Sequence, residues 1–442
     1  MSEESTENPE RYALIGAGPC GLAAARKLSR FDVPFQGFEL HDDVGGLWDI
    51  ENPTSPVYES AHLITSKEAT EFDELPMGED VADYPDHRTV QRYLSRYADH
   101  FGLREHFRFG TEVLRCKPDA DGRWTVTWRD RASGEETSER FAGVIVANGT
   151  FHAPNEPSFP GEFTGEIFHA VDYKSPDRFA EKRVLVIGGG NSGCDIAVDA
   201  VSTAERVAIS VRRGYYFAPK YIFGKPSAKA AAIFPMPRWL KQRIDALVLG
   251  LLVPDPTRFG FPKPDYPLYE IGPVVNTQIL HHAGHGHVDV RPNVARFEER
   301  TVHFADGSAE EYDVVVLATG YRLHYPFLDP DLLNWQDPGS GTAPSLFLNC
   351  FHPERDDLFV LGMVESGGVG FEGRAEQAEL VARFLAEKRA GSAKAERFAR
   401  KKAGPPPDLR GGWKYKKLDR HAYYVHKDTW RGLLRRHLEE LS

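Results

Sequence analysis

The 442-residue chain holds two short glycine-rich runs of a kind that brings backbone against a pyrophosphate. The first is Gly-Ala-Gly-Pro-Cys-Gly, with Gly16, Gly18, Pro19 and Gly21; the second is Gly-Gly-Gly-Asn-Ser-Gly, with Gly188, Gly190, Asn191, Ser192 and Gly193. In such a run the first glycine makes a tight turn, the second lets the phosphates approach and the third lets helix pack on strand. The helix start then offers its positive end to the anion. One run alone is weak evidence. Two imply two dinucleotides, and so a flavin reduced by a nicotinamide. The residues beyond each run make the two sites unequal. Glu39 lies roughly twenty residues past the first turn, where a carboxylate accepts from ribose hydroxyls, so this site is expected to hold FAD. The matching region of the second unit carries Ser210, Arg212 and Arg213. A carboxylate there repels a 2′-phosphate and guanidinium groups pair with it, so NADPH rather than NADH is expected. The plain alternative makes Arg212 and Arg213 a solvated pair.

Positioning these residues requires strand–turn–helix units. Tyr12–Ile15 reads as a buried strand, Pro19–Ser29 as a helix with proline in its first turn, and Phe35–Leu40 as the next strand. The order repeats as strand Arg183–Ile187, helix Ser192–Val201 and strand Arg206–Val211. The apolar runs Gly143–Gly149 and Asp313–Tyr321 read as buried parallel strands ending in small residues, each marking a crossover between two domains. The fold class is therefore α/β, with two Rossmann-like dinucleotide-binding domains, the NADPH domain inserted into the FAD domain. The expected boundaries are 1–156 for the first part of the FAD domain, 157–312 for the inserted domain, 313–390 for the second part and 391–442 for a tail that wraps the surface. A Pro- and aromatic-rich insert spans about 215–273. Within it, Trp239–Val253 has helical spacing of Leu240, Ile244, Leu247, Val248 and Leu251. It reads either as an insert packed on its domain, or as a lid or membrane-touching surface.

Composition narrows the class. A net charge of −11 argues against non-specific nucleic-acid binding. Cys20, Cys116, Cys194 and Cys350 form no C-x-x-C pair and no zinc spacing, so no metal site and no dithiol of the flavin disulfide reductases is expected. Cys20 and Cys194 read as small packing residues within the glycine units. The polar start, MSEESTENPE, lacks the apolar core of a signal peptide, and no run is long enough to span a bilayer. A cytoplasmic chain without stable membrane insertion is expected.

Between the glycine runs lies Phe-Thr-Gly-Glu-Ile-Phe-His-Ala-Val-Asp-Tyr, with Phe163, Gly165, His169 and Tyr173 at F-x-G-x-x-x-H-x-x-x-Y spacing. With Gly45-Gly46-Leu47-Trp48, Tyr84-Pro85 and Ala318-Thr319-Gly320-Tyr321, this pattern resembles the class B flavin monooxygenases, the flavin-containing monooxygenase family. The resemblance covers most of the chain. Baeyer–Villiger relatives usually carry Trp at the Tyr173 position. His169 reads on spacing alone as a base, whereas the resemblance implies that it fixes the linker.

The resemblance implies that NADPH reduces FAD and stays bound as NADP. Reduced flavin then forms a 4a-hydroperoxide whose distal oxygen is attacked by nitrogen or sulfur of a small organic substrate. It implies FAD contacts at Gly16, Gly18, Pro19, Gly21, Glu39, Leu47, Trp48 and Val113, with Gln377 opening a late helix that faces the flavin. It places Gly188, Gly190, Ser192, Gly193, Ser210, Arg212 and Arg213 at NADPH, and Tyr173, Thr319 and Tyr321 beside the cofactors. Asn191 falls where the second turn meets nicotinamide and substrate; it reads either as holding the nicotinamide or as a turn residue. The family usually carries Asn at the position of Ile64, which donates no hydrogen bond. Asn191, Thr65, Ser66 or the bound NADP is expected to compensate, or the intermediate is short-lived. Plant auxin-forming relatives also lack that Asn, and Thr257-Arg-Phe-Gly-Phe resembles their branch. Three alternatives stay open: a Baeyer–Villiger or 2-oxo-acid-decarboxylating oxygenase, an uncoupled NADPH oxidase, and a non-enzymatic flavin-binding protein. Family members are often dimers, which makes a homodimer the expected assembly.

Overall fold

In the computed structural model, residues 10–227, 237–335, 342–416, 418 and 421–442 are described. The acidic start, 1–9, and part of the insert, 228–236, lie outside them. Short, mostly apolar runs form the strands. In chain order these are β1 (Tyr12–Ile15), β2 (Phe35–Phe38), β3 (Phe107–Arg108), β4 (Gly143–Val146), β5 (Glu166–His169), β6 (Arg183–Ile187), β7 (Arg206–Ser210), β8 (Val288–Arg291), β9 (Val314–Leu317) and β10 (Leu358–Val360). The helices used below are α1 (Pro19–Arg30), α2 (His87–His100), α3 (Asn191–Ala200), α4 (Arg238–Leu252), α5 (Gln278–Gly284), α6 (Gly370–Arg389), α7 (Ala393–Lys402) and α8 (Lys427–Leu441).

Two five-stranded sheets result, ordered β10-β4-β1-β2-β3 and β8-β7-β6-β9-β5. All their pairings are parallel. Both are doubly wound: β1 and β6 are the strands from which the chain moves first to one side and later to the other. A ligand crevice forms at the carboxyl end of such a strand, and Gly16 and Gly188 follow β1 and β6 directly. Each sheet also carries a three-stranded antiparallel crossover, Thr111–Phe141 between β3 and β4 and Val294–Glu311 between β8 and β9. The doubled unit is thus more complete than the glycine runs alone indicate.

Two boundaries differ from expectation. β9 pairs with β6 and β5, so it belongs to the second sheet; the chain returns to the first unit only after Leu317, not at 313. A valine-rich strand looks the same from sequence in either sheet, because both bury it on two faces. The tail does not simply wrap the surface. Trp430, Leu434 and Leu441 of α8 are buried in the core that holds Leu22 and Leu28 of α1 and Phe384 of α6. In α7, Lys402 is buried and its ammonium donates to the carbonyls of His352, Pro353 and Arg355.

The helix expected inside the insert is present as α4, yet none of its residues is buried. Trp239 (61% exposed), Leu247 (66%) and Leu251 (78%) form an outward apolar stripe. No helix among the described residues is long and apolar enough to cross a membrane.

Candidate active site

The first cradle is built by steric necessity. Gly16 has φ +107°, and a Cβ there would lie 2.5 Å from the Ala147 carbonyl oxygen. A Cβ on Gly21 would sit 1.8 Å from the Gly16 oxygen, so only glycine lets α1 close on its turn. Gly18 is different: its nearest obstacle is Gly46 Cα at 3.5 Å, so the constraint there is not packing. Pro19 opens α1 with no acidic residue in the first turn. The first intrahelical bond at this end is Leu22 N–H to Gly18 O, 2.9 Å. Cys20 and Gly21 N–H are therefore left to meet an anion. Glu39 is buried at the end of β2; its oxygens accept from Ala17 N–H (2.5 Å) and His41 N–H (2.9 Å). Burial pushes its pKa up, against the pull of these N–H groups. One lone pair on each oxygen is left for a ribose diol. Thr111 N–H donates to Glu39 O (2.8 Å), which places Val113 two residues beyond on the adjoining strand. Leu47 and Trp48 are half-buried in the turn whose Gly45 N–H bonds Ala17 O, and Trp48 packs against both the first and the second core.

The second cradle repeats the first. Gly188 has φ +124° with a hypothetical Cβ 2.3 Å from Ala318 O, and Gly193 has one 1.9 Å from Gly188 O. A Cβ on Gly190 would meet nothing within 4 Å. That position leaves open space for a pyrophosphate to approach. Arg212 is exposed, with no ion-pair partner among the described residues, and Arg213 is half-buried with Asp265 as an electrostatic neighbour. Ser210 is buried and donates its hydroxyl to Pro292 O (2.8 Å), so it holds the end of β7 instead of reaching a phosphate.

The F-x-G-x-x-x-H-x-x-x-Y segment is the linker. Ala153–Pro154 pairs antiparallel with Tyr321–Arg322, so the outgoing and returning chains run side by side. Thr319 donates its hydroxyl to Asn155 O (2.5 Å), and Asn155 N–H donates to Gly320 O (2.9 Å). His169 is buried: its Nδ1 accepts from Val171 N–H (3.1 Å), which puts the proton on Nε2 for donation to Gly320 O (3.0 Å). Burial lowers its pKa and keeps it neutral. Both nitrogens are committed, so His169 fixes the linker and is not a base. Tyr321 lays its ring edge-on to His169 at 5.2 Å.

Asn191, Asp195 and Asp199 lie on one face of α3 at i, i+4, i+8. Asn191 Oδ1 accepts from Val275 N–H (2.8 Å). Asp195 accepts from Tyr58 Oη (2.7 Å) and Asn276 Nδ2 (2.6 Å); Asp199 accepts from Ser60 Oγ and from Tyr173 Oη (3.0 Å). Burial raises the pKa of both carboxyls. Lys220 faces the same place: its ammonium sits over the Tyr84 ring at 5.0 Å, and burial, opposed by Asp195, lowers its pKa. Tyr84 in turn donates to Lys220 O. Tyr84 stands beside the Ile64 segment, which is clamped by Leu63 N–H to Pro85 O (3.0 Å) and Lys67 N–H to Asp83 O (2.8 Å). The structure thus joins the Ile64–Ser66 segment to the start of α3 across the two units.

Of the groups expected to replace the missing Asn at position 64, two do not present a donor there. Thr70 Oγ1 gives its proton to Ser66 O (3.0 Å), so Thr65 must donate to Thr70 Oγ1 (2.8 Å). Ser66 has no accessible surface, and its hydroxyl has no partner among the described residues. Asn191 remains: with Oδ1 accepting, Nδ2 has both protons to give and no acceptor among the described residues. Ile64 is 42% exposed. Two further expectations are corrected. Gln377 lies inside α6 rather than opening it, is fully buried, and uses its amide on Gly362 N–H (2.9 Å) and Leu348 O (3.4 Å). Tyr173 is fully buried against Phe179 and Asp199. Neither side chain has surface with which to touch a cofactor. Tyr58, Asp195, Asp199 and Asn276 were not singled out in sequence, although the 191–195–199 spacing on an otherwise apolar helix was the available signal. The four cysteines are free, and burial pushes their thiol pKa values up, in line with packing roles.

These residues fit two dinucleotides. The family model described as flavin-binding monooxygenase-like matches residues 9–394. Flavin-containing monooxygenase 3 of Oryctolagus cuniculus is 31% identical over 397 residues, covering 85% of this chain and 74% of the relative. Among solved structures, S-allyl-L-cysteine S-oxygenase from Allium sativum superposes with TM-score 0.66 at 21% identity, covering 97% of this chain and 88% of that one. OTEMO, in complex with FAD and NADP, superposes with TM-score 0.70 at 19% identity, covering 97% and 98%. The chain belongs to the flavin-binding monooxygenase-like family and is a flavin-dependent monooxygenase that uses FAD and NADPH.

Proposed function

We propose that the enzyme inserts one atom of O2 into nitrogen or sulfur of a small organic substrate. For a thioether the balance is sulfide, O2, NADPH and a proton giving sulfoxide, water and NADP. Bound FAD, reduced by the NADPH hydride, supplies the electrons that activate O2. The observation that carries the reading is the commitment of every carboxylate and imidazole named at the junction. Asp195 and Asp199 each hold two donors, and His169 spends both nitrogens. Among the described residues none of these carboxylates or the imidazole is left as a free base at the start of α3, and Lys220 is the remaining titratable group there; this favours a substrate that attacks as a neutral, soft nucleophile. Sulfides and tertiary amines meet that condition without losing a proton. Asn191 Nδ2 supplies an uncharged donor there, and the glycine cradles with Glu39 and Arg212 hold the two dinucleotides.

A second reading is favoured by Ile64. An exposed aliphatic side chain where the family usually places an amide removes one donor, which favours peroxide release or carbonyl oxygenation, including 2-oxo-acid decarboxylation. The test is NADPH consumption with ¹⁸O2 across thioethers, tertiary amines, ketones and 2-oxo acids. Label in sulfoxide or N-oxide supports the proposal; label confined to an ester or to the shortened carboxylic acid, or full recovery as peroxide, overturns it.

A further inference from the structure

The end of α5 carries a cluster that neither dinucleotide explains. After Gly284 come His285 and then Gly286 with φ +75°. Gly286 N–H donates to Ala283 O (3.1 Å) and His287 N–H to His282 O (2.9 Å). These are the two reverse bonds of a Schellman closure, with Gly286 at the left-handed position. Such a closure brings the residue two past the helix cap against the residue one turn back, ordinarily as an apolar contact. Here both are histidine.

The consequence is a facing pair of ring nitrogens. His282 Nδ1 and His287 Nδ1 are 3.4 Å apart, and the His285 ring lies 5.5 Å from that of His287. Two nitrogens bound to one tetrahedral ion at about 2.0–2.1 Å are separated by about 3.3–3.4 Å. The closure brings the two rings together, and their nitrogens, in hydrogen-bond contact here, stand at a spacing that also matches two ligands on one metal. His282 is half-buried, whereas His285 and His287 are exposed, so an ion enters from solvent with part of its water shell. A cation at this place also meets the negative end of α5. No group of three His, Cys, Asp or Glu among the described residues forms a ready-made cage, which distinguishes this pair from a structural zinc site. Imidazole ligands select Zn²⁺, Ni²⁺ or Cu²⁺ over Mg²⁺ or Ca²⁺, which require oxygen.

We propose that His282 and His287 form a surface site for one divalent transition-metal ion, completed by water. The test uses full-length holoenzyme without a polyhistidine tag, stripped with chelator and titrated with Ni²⁺ and Zn²⁺ by calorimetry. Cu²⁺ is followed by electron paramagnetic resonance. One micromolar site with nitrogen hyperfine splitting is expected. His282→Ala and His287→Ala should each weaken binding about tenfold or more. Gly286→Val should do the same with both histidines retained, because a β-branched residue resists positive φ. Flavin content and melting temperature verify that each variant is folded. A wild type that binds no tighter than the His282→Ala/His287→Ala double variant overturns the proposal. So does a folded Gly286→Val with undiminished affinity.

Discussion

Asn191 is an amide with its oxygen occupied and its protons available, and this asymmetry makes it the most exposed point of the mechanism. Removing one such donor from an oxygen-stabilising site costs about 10²–10³ in rate where the donor acts in the reaction. Asn191→Ala is therefore expected to cut product formation by about that factor while NADPH oxidation continues as peroxide. Equal loss of both would assign Asn191 to cofactor binding instead. Ile64→Asn restores a second donor and should lower the peroxide formed per NADPH by roughly half or more; an unchanged ratio means that Asn191 already suffices. The guanidinium pair acts at a distance from this chemistry. Charge-assisted hydrogen bonds contribute about 1.5–3 kcal/mol each. Arg212→Ala with Arg213→Ala should then raise KM for NADPH about tenfold or more and leave KM for NADH within about twofold. Parallel effects on both nucleotides contradict the phosphate assignment.

At the scale of elements, the glycine turns separate packing from recognition. Gly193→Ala puts a methyl 1.9 Å from Gly188 O, so α3 must shift and the melting temperature should fall. Gly190→Ala adds a methyl into open space at φ −78° and ψ −176°, a conformation alanine adopts readily. Its melting temperature should match wild type, while KM for NADPH rises; a KM unchanged on measurement removes Gly190 from the phosphate contact. These turns were legible in sequence because strand, turn and helix constrain the same few residues at once. β6 and α3 fall within one residue of their expected bounds. Less was legible where partners are remote in sequence. Gln377 reads in sequence as the start of a helix, yet Gly370 already begins α6. β9 gave no sign of which sheet it joins, since its register is set by residues 130–150 positions away. Trp430 could not be placed in the α1–α6 core from a tail whose preceding residues are basic and proline-rich.

For the whole molecule, the question is what keeps two nucleotide units in register. Tyr58 of the first unit bonds Asp195 of the second, and Ser60 bonds Asp199. Tyr58→Phe strips one of two donors from a buried carboxylate, a loss of about 1–3 kcal/mol. A lower denaturant midpoint with unchanged slope is expected, and no change would mean that another group fills the gap. The linker histidine adds a pH dependence. Burial holds His169 below the ordinary imidazole value, while an unfolded histidine takes its proton near about 6.5. Between those values the unfolded chain binds more protons, so stability rises with pH there. This contribution is fully present above about pH 6.5 and is lost as pH falls toward the folded value. The melting temperature of His169→Gln should depend less steeply on pH between about 7.5 and 5.5 than that of wild type. The central claim is that paired nucleotide sites and a junction whose described carboxylates and imidazole are already hydrogen-bonded amount to heteroatom oxygenation. Mass spectrometry of product formed from a thioether and a tertiary amine under ¹⁸O2, with NADPH consumption measured alongside, tests it most directly. One labelled oxygen per product, at one product per NADPH, is the expected result. NADPH consumed with no label in either product contradicts it.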